Sequence, residues 1–137
     1  MKTILIIGRP ASGKTTRIIE LLNNEEDKSI LFSLENPEHF LRSHGLKQTI
    51  DVCDSENLAI DEMIKKTASY DYKTVAIDSA DLLPGDFNFA CLETSLTANN
   101  VAKMVITAHL QRDNKVSPGG AMAIRYLCPE IINIPNK

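Results

Sequence analysis

The chain has 137 residues, of which 43% are hydrophobic and 24% are charged, and its net charge is −3. This length predicts a single domain over residues 1–137, with one sizeable core and no second folded unit. The acidic balance argues against strong nucleic-acid binding by an isolated monomer. No apolar stretch approaches the roughly 20 residues needed to span a bilayer, so no membrane partner is expected.

Near the N-terminus, an apolar run is followed by a phosphate-binding motif. Residues Lys2 to Ile7 predict a buried parallel strand, and Thr15 to Leu22 predict a helix with one apolar face. Between them, Gly8 to Thr15 reads GRPASGKT, which matches the G-x-x-x-x-G-K-[ST] pattern whose backbone N–H groups surround phosphates. We therefore expect ATP and Mg²⁺ as ligands, with Lys14 reaching the β- and γ-phosphates and the Thr15 hydroxyl on the metal. The expected nucleotide-binding residues are Gly8, Arg9, Pro10, Ala11, Ser12, Gly13, Lys14, Thr15 and Thr16.

Further along the chain, apolar runs alternate with amphipathic segments. The predicted elements are a strand at 29–34, a helix from Pro37 to His44, a short strand suited to an edge at 49–53, a helix capped by Asp54 that ends near 69, a strand at 74–78, a helix at 86–99, a strand at 101–107, a polar loop at 111–120, a helix at 121–127 and a strand at 131–134. This alternation predicts an α/β fold, with a mostly parallel sheet and helices on both faces.

Three cysteines, Cys53, Cys91 and Cys128, are widely spaced and form no Cys-x-x-Cys pair. Their odd number and spacing argue against a zinc site and a disulfide framework, so we expect each to be a small buried hydrophobic residue. Met1-Lys2 leads directly into the first strand, without the pattern of a secretory signal. These features together predict a cytoplasmic protein.

Two acidic residues end apolar strands. Asp78 closes the strand that begins at Thr74, where an aspartate would orient Mg²⁺ opposite Thr15. Ser79 follows, at a position where many ATPases have a glutamate that activates water, so a catalytic base must come from elsewhere. Glu35 is the candidate, because ligand sites in open α/β sheets form at the carboxyl ends of strands. Position alone is equally consistent with a solvated carboxylate before a helix.

Several segments resemble bacterial replicative helicases of the DnaB type, within the RecA/DnaB superfamily. The segments are ILFSLENPEHFLR (30–42), TVAIDSADLL (74–83), MVITAHLQRD (104–113) and PGGAMAIRYLCPEIINI (118–134). The resemblance implies a RecA-like P-loop NTPase fold, in which Lys14, Glu35 and His109 are catalytic. Glu35 would act as the base and His109 would sense the γ-phosphate.

The resemblance also implies that the loop at 111–120 contacts single-stranded DNA or RNA, through Arg112, Asn114 and Lys115. One such loop is a weak polyanion site, but copies around a homo-oligomeric ring or filament would add their contacts. A solvated surface loop is the alternative. The family's arginine finger, supplied by a neighbouring subunit, has only Lys137 or Arg125 as candidates, because the chain stops where such helicases usually continue.

The sequence thus predicts an ATPase that couples hydrolysis to assembly or movement on single-stranded nucleic acid in DNA replication or recombination, as in small phage or mobile-element ATPases. Two alternatives stay open. One is a non-hydrolysing adaptor that ATP switches. The other is a small nucleoside or nucleotide kinase, against which the scattered arginines argue, because a kinase lid clusters them.

Overall fold

The computed structural model describes residues 1–55 and 58–135. In chain order the elements are β1 (Lys2–Gly8), α1 (Lys14–Asn23), β2 (Ser29–Ser33), α2 (Glu38–Ser43), β3 (Asp51–Asp54), α3 (Ile60–Ala68), β4 (Thr74–Asp78), a 3₁₀ turn (Ala80–Leu82), α4 (Phe89–Ala98), β5 (Lys103–His109), α5 (Pro118–Leu127) and β6 (Glu130–Asn133). Every helix of the described residues is too short or too polar to span a bilayer.

The strands form one parallel six-stranded sheet in the order β3-β2-β4-β5-β1-β6. The predicted α/β fold is confirmed, as is the edge position of the short third strand. Strand β5 lies between β1 and β4, with His109 opposite Gly8 in the register, while Asp78 lies opposite Ser33 of β2. Because the carboxyl ends of parallel strands all lie at the same end of the sheet, these four residues lie together there.

Helices cover both faces of the sheet, because β1 directs apolar side chains to both faces. Ile4 and Ile6 pack with Ile18 of α1 in one buried cluster. Leu5 and Ile7 point the other way and join the cluster formed with α3, α4 and α5. Since successive side chains of a strand face opposite sides, a strand with consecutive apolar residues, as at positions 4–7 of β1, must be covered on both faces. The carboxyl end of β1 is therefore held rigidly from both sides.

Two helices begin later than predicted. Asp54 belongs to β3 and does not cap α3, which starts at Ile60; its carboxylate instead accepts the backbone N–H of Glu38 at 2.6 Å, in the first turn of α2. Helix α4 starts at Phe89, three residues after the predicted start, because the side chain of Asn88 caps it. In both cases a nearby polar residue suggested the wrong boundary.

The predicted polar loop at 111–120 is shorter than expected, because α5 begins at Pro118. Ser117 caps this helix, and Gly119 and Gly120 lie in its first turn. A Cβ on Gly119 would lie 2.5 Å from the backbone oxygen of Ala80. The glycine pair therefore serves close packing of α5 onto the 3₁₀ turn and β5, and not a flexible turn.

The prediction that all three cysteines are buried is wrong. Cys53 is half-buried, while Cys91 and Cys128 are exposed and free. The helical period turns Leu92 and Leu96 of α4 inward and leaves Cys91 facing solvent. Cys128 ends α5 in the left-handed region, with φ of 46°, a position that closes helices and faces outward.

Candidate functional site

Residues 9–13 connect β1 to α1, and the local backbone explains the two glycines of the motif. Gly13 has a φ of 100°, a left-handed conformation that glycine adopts without steric cost. A Cβ on Gly8 would collide with the side-chain oxygen of Ser12. The loop can therefore turn tightly into α1, whose first N–H groups have no intrahelical partners and favour an anion.

The side chain of Lys14, the first residue of α1, is buried and points back into the loop. Its Nζ donates a hydrogen bond to the backbone oxygen of Arg9 at 2.8 Å. Burial lowers the pKa of Lys14 from its ordinary value, and the carboxylates of Asp81, Asp78 and Glu35 partly offset this effect. Burial disfavours the charged form of this ammonium group, so an anionic ligand would stabilise that form.

Asp78, at the end of β4, is 1% exposed and is held by two hydroxyl groups. Thr15 Oγ1 donates to its Oδ2 at 3.1 Å, and Thr107 Oγ1 donates to its Oδ1 at 2.6 Å. Burial raises the pKa of Asp78 above its ordinary value, while hydrogen bonds from Thr107, Thr15 and Asn36 act in the opposite direction. Thr107 lies in β5, the strand between β1 and β4, and thereby bridges the two halves of the site.

The hydroxyl of Thr15 and the carboxylate of Asp78 form a pair of hard oxygen donors of the kind that Mg²⁺ prefers. The described residues contain no group of three or more His, Cys, Asp or Glu side chains placed to hold a metal. The pair therefore fits Mg²⁺ that takes its remaining ligands from water and nucleotide phosphates, and does not fit a cage made by protein alone.

Glu35 lies just beyond β2 and is held by Ser79. The Ser79 hydroxyl donates to Glu35 Oε2 at 2.8 Å, and the Ser79 backbone N–H donates to Thr107 Oγ1 at 2.8 Å. Ser79 itself is buried and has a φ of 73°, which is uncommon for a residue other than glycine. The structure thus brings Glu35 beside Asp78 and fixes it with a residue to which sequence reasoning gave no role.

His109 ends β5 next to the phosphate loop. Its backbone N–H donates to the carboxylate of Asp81, at 3.0 and 3.2 Å to the two oxygens, and its ring Nε2 lies 3.6 Å from Asp81 Oδ2. Asp81 lies in the 3₁₀ turn and also accepts a hydrogen bond from the Ser117 hydroxyl. One carboxylate therefore positions both His109 and the start of α5.

A cleft of about 440 Å³ joins these groups. Its lining is Pro10, Ala11, Gly13, Lys14, Thr15, Thr16, Ile19, Glu35, Asn36, Phe40, His44, Asp78, Ser79 and His109. In the described part of the chain, the buried side-chain atoms without a hydrogen-bond partner are Arg9 Nε, Ser12 Oγ and His109 Nδ1. Buried polar atoms are normally paired, and these three belong to the phosphate loop or to the strand end beside it. This clustering indicates a site for a polar ligand.

Two rings in the cleft were missed by sequence reasoning. Phe40 of α2 and His44, which caps the end of that helix, lie with their ring centroids 4.0 Å apart at an angle of 30°, and Phe40 is 37% exposed. The i, i+4 spacing places both rings on the same side of the helix. The i, i+4 spacing of the two rings is visible in the sequence and could have predicted their contact. A short polar helix, however, is typical of an ordinary surface segment.

The predicted nucleic-acid residues lie on an exposed hairpin. Leu110 and Val116 form its antiparallel bridge, and Arg112 and Lys115 extend from it into solvent. Asn114 instead turns back to the phosphate loop, where its Oδ1 accepts a hydrogen bond from Arg9 at 2.6 Å. Of the candidate finger residues, Arg125 is exposed on α5 above the ring of Tyr126. Lys137 lies outside the described residues.

The parallel α/β sheet and the strand–loop–helix that presents Lys14 and Thr15 to Asp78 define the fold of a P-loop ATPase. The chain is similar to a solved structure of a prototypical ATPase from the type III secretion system of pathogenic bacteria, with a TM-score of 0.60 and 16% sequence identity. The match covers 98% of this chain and 52% of the other, so this chain spans about half of that protein's length. No protein-family model and no curated protein matches the sequence. At this identity the likeness shows the P-loop fold alone, and it does not support the narrower DnaB type.

Proposed function

We propose that the protein is a Mg²⁺-dependent ATPase of the RecA/DnaB type that couples ATP hydrolysis to assembly or movement on single-stranded nucleic acid, in DNA replication or recombination. The observation that carries the proposal is the convergence of Lys14, Thr15, Asp78 and Glu35 on one cleft. These are the four groups that phosphoryl transfer to water requires: a phosphate clamp, two metal ligands and a base.

In this proposal, Lys14 and the loop amides bind the triphosphate, and Lys14 exchanges its backbone acceptor for phosphate oxygens. Thr15 and Asp78 hold Mg²⁺, which supplies charge neutralisation at the phosphates when it is bound. Glu35, oriented by Ser79, accepts the proton of the attacking water. Its exposed position leaves it accessible to that water.

His109 is proposed to report loss of the γ-phosphate, since it lines the cleft at the start of the hairpin that carries Arg112 and Lys115. A single hairpin with two cations binds a polynucleotide weakly, because affinity grows with the number of phosphates neutralised. We therefore propose a homo-oligomer, ring or filament, in which a neighbouring subunit also supplies a cation such as Arg125 or Lys137 to the ATP site.

Phe40 and His44 are proposed to contact the nucleotide base. They line the same cleft as Lys14, and the exposed ring pair offers an aromatic surface for stacking. This assignment gives a function to the part of the cleft that the phosphate ligands do not use.

One observation favours a second candidate, the ATP-switched adaptor. Ser79 already occupies one oxygen of Glu35, and this hydrogen bond fixes the carboxylate in an orientation that need not face a water at the γ-phosphate. In an adaptor, ATP would change assembly without being hydrolysed.

The test measures the ATPase rate per subunit against protein concentration, with and without single-stranded DNA. We expect the rate to rise with both, because shared sites form on assembly. Glu35→Gln should keep ATP affinity and lose turnover, typically by 10²–10⁴-fold for a general base. Glu26→Gln, at an exposed turn remote from the cleft, is the charge-matched control. A flat rate near zero, with ATP-dependent assembly intact, would establish the adaptor instead.

A further inference from the structure

Two of the hydrogen bonds of Arg9 face different parts of the molecule, while its backbone oxygen also accepts the Ser12 N–H at 3.1 Å. Its backbone oxygen accepts from Lys14 Nζ at 2.8 Å, inside the phosphate loop. Its Nη2 donates to Oδ1 of Asn114 at 2.6 Å, on the hairpin. The guanidinium Nε is buried and has no hydrogen-bond partner among the residues that the structure describes. One residue thus joins the lysine of the nucleotide site to a segment more than 100 positions away in the sequence.

The hairpin is anchored at its base. The backbone N–H of Leu110 donates to Gly8 at 2.8 Å, and that of Ser117 donates to His109 at 2.9 Å. The Arg9–Asn114 bond joins its outer part to the phosphate loop. An open pocket of about 600 Å³ lies beside this bond and is bordered by the phosphate loop and by the hairpin, so there is space next to the hairpin that the core does not fill.

We propose that Arg9 is a positioning residue that couples occupancy of the phosphate loop to the conformation of hairpin 110–117. This rests on the proposed function only in that the loop binds a nucleotide, and it requires neither hydrolysis nor nucleic acid. A phosphate oxygen is a stronger acceptor than a backbone carbonyl, so it draws Lys14 away from the backbone oxygen of Arg9 and changes the hydrogen bonding of the backbone that carries the guanidinium held by Asn114. The hairpin therefore loses its link to the loop when the nucleotide binds.

Coupling between sites is reciprocal. If the nucleotide changes the affinity of the hairpin for a ligand, that ligand must change the affinity for the nucleotide by the same factor. If the ligand is single-stranded nucleic acid, the Arg9–Asn114 bond provides a direct route from the polynucleotide to Lys14, separate from the one through His109. Arg9 would then set how strongly the two ligands influence each other.

The experiment follows hydrogen exchange of the hairpin amides with and without a saturating Mg²⁺ complex of a non-hydrolysable ATP analogue, whose affinity is measured alongside. Asn114 has a φ of 63°, so Asn114→Ala would add backbone strain to the loss of the acceptor. Asn114→Gly removes the acceptor without strain, and Asn114→Asp keeps it. Arg9→Gln removes the donor. Arg17→Gln, on the exposed side of α1, removes the same charge elsewhere.

In the wild type, Arg17→Gln and Asn114→Asp, the analogue should speed exchange at the Gln111 and residue-114 amides, which are hydrogen-bonded within the outer part of the hairpin. In Arg9→Gln and Asn114→Gly, exchange without nucleotide should already be faster, by roughly fivefold for one lost hydrogen bond, and the analogue should add little. The double variant should match either single variant, because both remove the same bond.

An undiminished response in Arg9→Gln or Asn114→Gly would overturn the inference, as would a wild type that binds the analogue with an unaltered hairpin. Either result would leave the proposed function intact. A wild type that does not bind the analogue would overturn both.

Discussion

Replacing Thr107 with valine tests the buried network around Asp78. The hydroxyl of this fully buried residue donates to Asp78 Oδ1 at 2.6 Å and accepts the Ser79 N–H at 2.8 Å. Valine has nearly the same shape, so the change removes both hydrogen bonds without opening a large cavity. A buried unpaired N–H costs about 1–3 kcal/mol, and a hydrogen bond to a charged group contributes about 1.5–3 kcal/mol. We expect the free energy of unfolding to fall by about 4 kcal/mol at pH 8.

The loss should depend on pH in a defined direction. Burial raises the folded-state pKa of Asp78, so its charge destabilises the fold above that pKa and the penalty is relieved as the pH falls through it. Removing the Thr107 donor raises this pKa further, so the free energy of unfolding of the variant is lowered most when Asp78 is ionised. As Asp78 is protonated, the difference between variant and wild type should narrow to about 2 kcal/mol, which is the cost of the unpaired Ser79 N–H.

Urea unfolding of both proteins between pH 8 and pH 4 measures this difference directly. Thr94→Val is the control, because the Thr94 hydroxyl donates only to the Ala90 backbone oxygen on the exposed side of α4, and its cost should stay within about 0.5 kcal/mol. A loss of the same size at every pH would refute the claim that Thr107 supports an ionised Asp78. A loss below about 1 kcal/mol would refute the network itself.

Two further variants test other parts of the structure. Gly119→Ala should destabilise the fold by about 1–3 kcal/mol, because its Cβ would lie 2.5 Å from the Ala80 backbone oxygen; thermal unfolding measures this, and Gly85→Ala, where a Cβ meets open space, is the control. Phe40→Ala should weaken binding of an adenine nucleotide by about 2–10-fold, as expected for loss of one aromatic contact, while leaving binding of inorganic triphosphate unchanged. An equal loss for both ligands would contradict a base-contacting role, and Tyr70→Ala, at an exposed ring outside the cleft, controls for loss of aromatic surface.

The sequence predicted the fold and the positions of the strand ends because both depend on local patterns. Continuous apolar runs mark buried parallel strands, and GRPASGKT fixes the loop between β1 and α1. Parallel topology then places Glu35, Asp78 and His109 at one edge of the sheet. Glu35 and Asp78 could be located by their positions at strand ends, whereas His109 lies two residues beyond the predicted strand end at 107 and was assigned through the family resemblance.

The contacts that organise the site were not predictable in this way. Ser79 and Glu35 are 44 positions apart, and Arg9 and Asn114 are 105 apart, so no local pattern relates them. The predicted starts of two helices were wrong for a related reason. Asp54 has the chemistry of a cap, but tertiary packing assigns its carboxylate to the backbone of a different helix. Local propensity identifies capable residues, while the three-dimensional fold selects their partners.

The placement of β5 in the middle of the sheet limits where this chain can change in length. Inserting or deleting one residue within β5 would rotate Thr107 to the opposite face and exchange its hydroxyl for the apolar side chain of a neighbour. The hairpin after His109 lies beyond the last paired residue of the strand, so lengthening it leaves that alignment intact. An insertion between Arg112 and Asp113, which keeps Asn114, is therefore the place to graft foreign recognition sequences while preserving the nucleotide cleft.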